Sequence, residues 1–355
     1  MYSEVTLPQN NYQAGFILGE HSRKVMHNYV LHSKQWNLLK NWIGSGELKK
    51  MESMARSVFP QYIEELIGIA DGCNLPFSNI FLWNCRGDFY PLINDGCTSI
   101  FAPSMESLLI GHNEDGDPRF RNEWLISKRD PEGSKLGYIS FTYPASINGH
   151  AFALNSAGLI QVINNIRSLE HSIGVPRQLL SRAILDSCSL DDAISVIKSC
   201  DRSGSFHHLI AQVGHKEALS IEYTPQAVSI LPLHSVYGHA NHFIHPRFDR
   251  AKQLITQSSA ARQDCIDELF KNNPFPTSPN EIKRMLWSTA NPDLPVYRSD
   301  PNDPDGENNL ATVVFSLKSD TVFMNVYVAQ RKEKTFNLET LKKLTEILFT
   351  INNGK

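Results

Sequence analysis

The segment Asn94-Asp95-Gly96-Cys97-Thr98-Ser99 sets a glycine directly before a cysteine at the start of a strand-like run. That order suits scission of the backbone by an N-to-S acyl shift. Glycine lets the scissile bond twist without a Cβ clash. Once the Gly96–Cys97 bond is broken, Cys97 carries both a thiol and a free α-amine. The amine, with an unperturbed pKa of about 7.7–8.0, can take the thiol proton and so replace a catalytic histidine. The plain alternative is a core position, since unpaired cysteine is among the most buried residue types.

Other residues point to chemistry less strongly. His239, His242 and His245 recur at i, i+3 and i+6, but no acidic or cysteine ligand stands beside them, which argues against a zinc site. His207-His208 reads as the start of a strand. The acidic loop from Asp300 to Glu307 fails the calcium-loop pattern, because Pro301 stands where the first ligand before Gly306 would be. There is no GxSxG elbow, no GxxxxGKS/T loop and no GxGxxG after a strand. Neither a metal nor an organic cofactor is implied.

These residues must be held by elements that the hydrophobic pattern outlines. The first ninety residues read as helical, with apolar residues at helical spacing through Phe16 and Ile17 to Tyr29, Leu31, Trp36 and Leu39. After Gly44-Ser45-Gly46 a second helix is expected from about Leu48 to Ala70, stopping at Asp71-Gly72. Ile80–Trp83 is apolar without a break and fits a buried strand or a helix turn equally. From Cys97 the pattern changes to short strands: 98–102, 108–110, 138–143, 151–154 and 159–163, the last two split by the turn Asn155-Ser156-Ala157-Gly158. A helical stretch covers Pro176–Cys200 with a break near Ser189. Strands follow at 209–213, 219–223 and 227–231, helices after Pro246 and at 280–288, and strands at 311–317 and 321–328. The order predicts the α+β class, with an antiparallel sheet packed between helices.

Composition narrows the function classes. Of 355 residues 41% are hydrophobic, enough for a substantial core. Lys+Arg number 34 against 37 Asp+Glu, a net charge of -3, and no dense basic run suggests nucleic acid as a partner. The first twenty residues lack the basic and apolar regions of a secretory signal, and no stretch approaches the roughly 18 apolar residues of a membrane helix. Six scattered cysteines without a CxxC pair fit a reducing compartment. A cytoplasmic protein that binds neither membrane nor nucleic acid is the expectation.

Several short motifs occur in a telling order: Tyr62-Ile-Glu-Glu-Leu-Ile-Gly-Ile-Ala-Asp-Gly72, Asp95-Gly96-Cys97-Thr98-Ser99, Gly111-His112-Asn113-Glu114-Asp115, Leu154-Asn155-Ser156-Ala157-Gly158-Leu159, Ile221-Glu222-Tyr223-Thr224-Pro225 and Ala240-Asn241-His242-Phe243. In these motifs, and over nearly its whole length, the chain resembles the isopenicillin-N acyltransferase family of autoproteolytic N-terminal-nucleophile (Ntn) hydrolases. The resemblance implies one domain over residues 1–355, a four-layer αββα sandwich with two antiparallel sheets between helical layers. It implies a cut before Cys97 into an α chain (1–96) and a β chain (97–355) that stay associated. By the same resemblance Asp115 is the acidic partner that orients the new α-amine, with Glu114 and Asp117 as rivals and turn capping as the plain alternative. Asn241 matches the family asparagine that donates to the developing oxyanion; a turn before the helix near Pro246 would also explain it. Asn155 is a second polar candidate that a hairpin turn explains as well. Arg298 sits where family members carry a Cys-Arg pair, here with Tyr297 in place of the cysteine, which leaves it for a substrate carboxylate or a structural ion pair.

The expected activity is thus that of a cysteine N-acyl hydrolase or acyltransferase, working through an acyl-Cys97 intermediate on a small amide or thioester. Two rivals stand beside it: a non-catalytic binding protein that never matures, and an uncleaved hydrolase pairing Cys97 with His112 or His242. The partners are the small-molecule substrate and the chain's own cleaved N-terminal fragment, with homo-oligomerisation left open.

Overall fold

The structure, a computed structural model, describes residues 2–89, 95–339 and 341. The chain opens with strand β1 (Ser3–Leu7), followed by helices α1 (Asn11–Asn28), α2 (Lys34–Leu39), α3 (Gly46–Val58), α4 (Pro60–Cys73), α5 (Phe77–Asn84) and α6 (Arg86–Phe89). Strands β2 (Asp95–Pro103), β3 (Leu108–Gly116), β4 (Leu125–Arg129), β5 (Tyr138–Thr142), β6 (Phe152–Asn155) and β7 (Leu159–Asn165) come next, then α7 (Arg177–Leu185) and α8 (Leu190–Lys198). The remainder is β8 (Phe206–Gln212), β9 (Ala218–Tyr223), β10 (Val228–Leu233), β11 (Tyr237–His239), α9 (Gln257–Asn272), α10 (Pro279–Leu286), β12 (Asn308–Leu317), β13 (Val322–Val328) and β14 (Arg331–Asn337).

Among the described residues the strands form two sheets. One has eight strands in the order β1-β4-β5-β6-β7-β8-β9-β10, the other six in the order β11-β2-β3-β12-β13-β14. All pairings are antiparallel except β1 on β4. The sheets face each other, with β2 packed across β7. Helices α7 and α8 lie on the eight-stranded sheet, α9 and α10 on the six-stranded one. The layers are therefore αββα. Two sheets, as the resemblance implies, replace the single sheet that the strand pattern alone suggests.

Side-chain alternation along β2 assigns its faces. Ile100 and Ala102 pack with Ile266, Phe270, Ile282 and Leu286 of the helical layer. Phe101 joins the core between the sheets. By the same period of two, Cys97 and Ser99 face the sheet-to-sheet interior while Thr98 faces the helices. On β3, Ile110 belongs to the interior core and Leu109 to the helix-side cluster. His112 and Glu114 accordingly point inward, and Asn113 and Asp115 outward.

Several sequence expectations need correction. The helix expected from 48 to 70 is two, because Pro60 cannot donate the hydrogen bond that would continue α3; it starts α4 instead. The stop is not Asp71-Gly72 but Asn74, which takes the left-handed conformation at φ 55°. Gly72 serves packing: a methyl there would run into the backbone of α1 at Phe16, and Gly15, Gly19 and Gly68 complete the same close α1–α4 crossing. Ile80–Trp83 is helical, inside α5. The segment after Pro246 makes only a short 3-10 turn, and α9 begins at Gln257 behind a Thr256 cap. Strands β1, β4, β11 and β14 carry no clear hydrophobic signal and escape the pattern. No helix among the described residues is long and apolar enough to cross a membrane. No disulfide joins the six cysteines.

Candidate active site

The β2–β3 register sets Cys97 directly opposite Glu114. Cys97 Sγ lies 3.5 Å from Glu114 Oε2, and the same oxygen is 3.0 Å from His112 Nε2. Tyr143, just past β5, donates to Glu114 Oε1 at 2.6 Å. Cys97 is 2% exposed, and His112 and Glu114 are fully buried.

A second tier fixes the histidine. Asn164 on β7 donates through Nδ2 to the His239 carbonyl (3.1 Å), so its Oδ1 can only accept. That oxygen receives the Ser99 hydroxyl at 2.7 Å and His207 Nδ1 at 2.9 Å. With its proton committed, Ser99 Oγ must accept from His112 Nδ1, 2.9 Å away. His112 therefore carries a hydrogen on Nδ1, and a second proton is shared between its Nε2 and Glu114 Oε2, beside the thiol.

The main chain of Cys97 is held separately. Its N–H donates to Asn241 Oδ1 at 2.9 Å, and Arg262 Nη2 donates to the same oxygen at 2.6 Å. Asn241 Nδ2 donates to the Asn165 carbonyl at 3.0 Å. A flipped amide would set its NH2 against two donors, so this orientation is fixed. The amide group expected to donate to an oxyanion is therefore turned to Asn165, while its oxygen grips the Cys97 nitrogen. Arg262, from α9, also donates through Nη1 to the Cys97 carbonyl and to Thr98 Oγ1 (2.9 Å). Burial lowers its pKa, and Arg298 nearby adds to the effect.

On the opposite face of the sheet lies a charged group behind Gly96. Asp115 pairs with Gly96 across the strands, and its Oδ1 accepts from Asn309 at 3.2 Å. Burial lifts its pKa to about 6, against the pull of Arg298 and Arg262. Arg298 is clamped by Asp303, Asp305 and Glu307, and Glu307 is shared with Arg167 at 3.2 Å. Burial outweighs these cations and raises the Glu307 pKa. The acidic loop that fails the calcium pattern thus has a protein cation, Arg298, at its centre. A methyl on Gly96 would strike Glu307 Oε2 and stand 3.0 Å from Arg298 Nη1.

The remaining sequence candidates lie outside this constellation. Asn155 spends every polar atom on backbone, donating to the Leu185 and Ser187 carbonyls and accepting from Ala157 and Leu159. His239 bonds Glu222 (2.9 Å), His245 bonds Ser220 (2.8 Å) with its other ring nitrogen 3.9 Å from the same Glu222, an acidic neighbour the sequence does not show, and His242 turns away to Ser259 (2.8 Å). Among the described residues, the His/Cys/Asp/Glu group whose donor atoms lie within metal-binding reach, 4.8 Å of one another, is Cys97, His112 and Glu114. Asp117 caps a 3-10 turn at Arg119 N and accepts from Tyr29. Arg262, Tyr143, Ser99 and Asn164 are the site residues that sequence reasoning misses. Only the Thr98-Ser99 half of the nucleophile motif hints at any of them.

A family model described as "Acyl-coenzyme A:6-aminopenicillanic acid acyl-transferase" matches residues 102–333. The beta-alanyl-dopamine/carcinine hydrolase of Drosophila melanogaster is 25% identical over 88% of this chain and 89% of its own length. The 40 kDa form of acyl-coenzyme A:6-aminopenicillanic-acid-acyltransferase of Emericella nidulans is 27% identical over 58% of each chain. Among solved structures, a mutant of the conjugated bile acid hydrolase from Clostridium perfringens is similar over 68% of this chain and 96% of its own, with a TM-score of 0.40 and 12% identity.

Proposed function

The chain belongs to the acyl-coenzyme A:6-aminopenicillanic acid acyl-transferase family, and from that premise we propose that it is a self-maturing cysteine N-acyl hydrolase. One observation carries the reading: the Cys97 thiol points into the buried interior beside Glu114 and His112, while the nitrogen of the Gly96–Cys97 bond is gripped by Asn241. Nucleophile and scissile amide thus share one residue, each with its own set of partners.

In maturation the Cys97 sulfur adds to the Gly96 carbonyl carbon, and the thiol proton passes to the Glu114–His112 pair. The C–N bond then breaks, the Cys97 nitrogen takes a proton, and Gly96 is left as a thioester that water hydrolyses. Residues 1–96 and 97–355 stay together. In turnover the α-amine, oriented by the Asn241 oxygen, takes the thiol proton and the sulfur attacks the substrate amide. The amine product departs, and water releases the acyl group. Asp115 acts from the far face, through the charged group behind Gly96.

Hydrolysis is preferred over transfer because the relative aligned over most of both chains is a hydrolase, whereas the acyltransferase match covers 58% of each. The substrate class we favour is an amine carrying a small acyl or β-aminoacyl group. Denaturing mass spectrometry of the purified protein tests the reading, with two fragments expected from wild type and one full-length species from Cys97→Ala. A Cys97→Ala chain that still splits before residue 97 would assign the cut to an external protease.

One observation favours a second reading. His112 Nε2 and the thiol share Glu114 Oε2, so a Cys–His hydrolase that never cleaves has its base in place. It requires an intact chain with full activity on the same substrates.

A further inference from the structure

Cys97 Sγ, His112 Nε2 and Glu114 Oε2 offer three donor types that together suit a borderline-soft cation. A tetrahedral Zn2+ with the usual bond lengths of about 2.0–2.3 Å holds its ligand atoms roughly 3.3–3.6 Å apart. Here sulfur to carboxylate oxygen is 3.5 Å and nitrogen to the same oxygen 3.0 Å, with all three donors within 4.8 Å of one another. The two separations that involve the carboxylate oxygen are thus within a few tenths of an ångström of those values.

The outer partners are also those of a metal site. A ligating histidine needs its far nitrogen anchored so that the near one presents a lone pair. His112 Nδ1 is anchored on Ser99 Oγ, whose own proton is committed to Asn164. Tyr143 holds the non-ligating oxygen of Glu114. No sequence motif announces the site, because its ligands come from two strands and meet only through the β2–β3 register.

We propose that Cys97, His112 and Glu114 bind Zn2+, and that the bound ion reversibly blocks the thiol. The ion would occupy the sulfur lone pair that attack on a carbonyl requires. Its fourth position is left to water or, in a cut chain, to the α-amine of Cys97, which closes a five-membered ring with the sulfur. The blocking half of the proposal rests on Cys97 being the nucleophile; the binding half does not.

Co2+ is the probe, titrated into the full chain and read by its sulfur-to-cobalt charge-transfer absorption. The expected result is a saturable band that Zn2+ displaces, absent in Cys97→Ser and weakened at least tenfold in His112→Gln and Glu114→Gln. A band unchanged in those last two variants, checked as folded by circular dichroism, would place the metal on surface thiols such as the exposed Cys188 and overturn the site. Wild type gives a second reading that needs no variant: saturating Zn2+ should slow carboxymethylation of Cys97, followed peptide by peptide. Equal alkylation of Cys97 with and without Zn2+ would also overturn it. Turnover of an amide substrate should stop with Zn2+ and return with a chelator. A band that depends on all three residues, beside turnover untouched by Zn2+, would overturn the block and the nucleophile assignment together.

Discussion

Cys97 and Glu114 stand directly opposite each other on β2 and β3, with Sγ and Oε2 3.5 Å apart. Asp115, one residue on, lies on the other face of the same sheet, against Asn309. In a strand a shift of one residue exchanges the faces, so two adjacent carboxylates serve opposite sides of the Gly96–Cys97 junction. Glu114→Gln should therefore lower the rate of maturation on the order of a hundredfold, the usual worth of a positioned proton acceptor. Asp115→Asn should cost less. Time courses of fragment appearance compare the two, and the reverse order would return the role to Asp115.

Asn241 distinguishes acceptor from donor. Asn241→Asp keeps an oxygen for the Cys97 nitrogen and for Arg262, but no longer donates to Asn165. Asn241→Ala leaves the Cys97 N–H and an Arg262 N–H unpaired in the interior, about 1–3 kcal/mol of lost stability. Fragment yield and Tm should both rank wild type, then Asp, then Ala. An Asp variant that matures fully yet loses turnover as completely as Ala would show that the NH2 group, as an oxyanion donor, is what catalysis needs.

At Gly96 the constraint is space. A methyl there meets Glu307 and Arg298, and moving that pair disturbs the whole group behind the junction. Gly96→Ala should remain a single species on denaturing gels and melt several degrees lower. Adding Glu307→Ala should recover part of the maturation rate. If Gly96→Ala processes normally, the glycine is not what frees the bond to break.

His208 supplies a pH signature away from the site. It is buried between Phe206 and Tyr223, and both ring nitrogens lack a hydrogen-bond partner among the described residues. Burial lowers its pKa from 6.5 to about 3, with His150 adding to the shift. Below pH 6.5 the unfolded chain takes up a proton that the folded one refuses until about pH 3, so stability drains away as pH falls through that window. At pH 5 the loss is about 2 kcal/mol. His208→Phe should raise Tm, and by more at pH 5 than at pH 8. An equal gain at both would mean that the histidine does not titrate in this range.

The legible parts of the chain are those whose signal is local. The Gly96-Cys97 step and the alternation of β2 and β3 are in the sequence itself, as is the turn 155–158. The choice between Glu114 and Asp115 is not, because it depends on which face of β3 is turned to the eight-stranded sheet, a matter of sheet packing. Arg262 lies on an α9 whose start the pattern misplaces, and its partners are 165 and 164 residues away. β14 reads Arg-Lys-Glu-Lys-Thr-Phe-Asn and is almost wholly exposed; a charged edge strand hides from any hydrophobic pattern by the same property that protects it from aggregation.

The parallel pairing of β1 with β4 has a consequence in time. It stitches the first strand of the chain into a sheet built otherwise from residues beyond 124, while the helices that follow it grip the segment around Ala145 through Ser22 and Asn84. An uncut chain regains this arrangement as one molecule, with its ends tethered. A chain severed at Gly96 would have to regain it as two, by diffusion, at a rate that depends on their concentration. Folding and unfolding would then cease to be reverses of each other. A severed protein would keep a shape inherited from its precursor, and how long it worked would be set by how slowly that inheritance was lost.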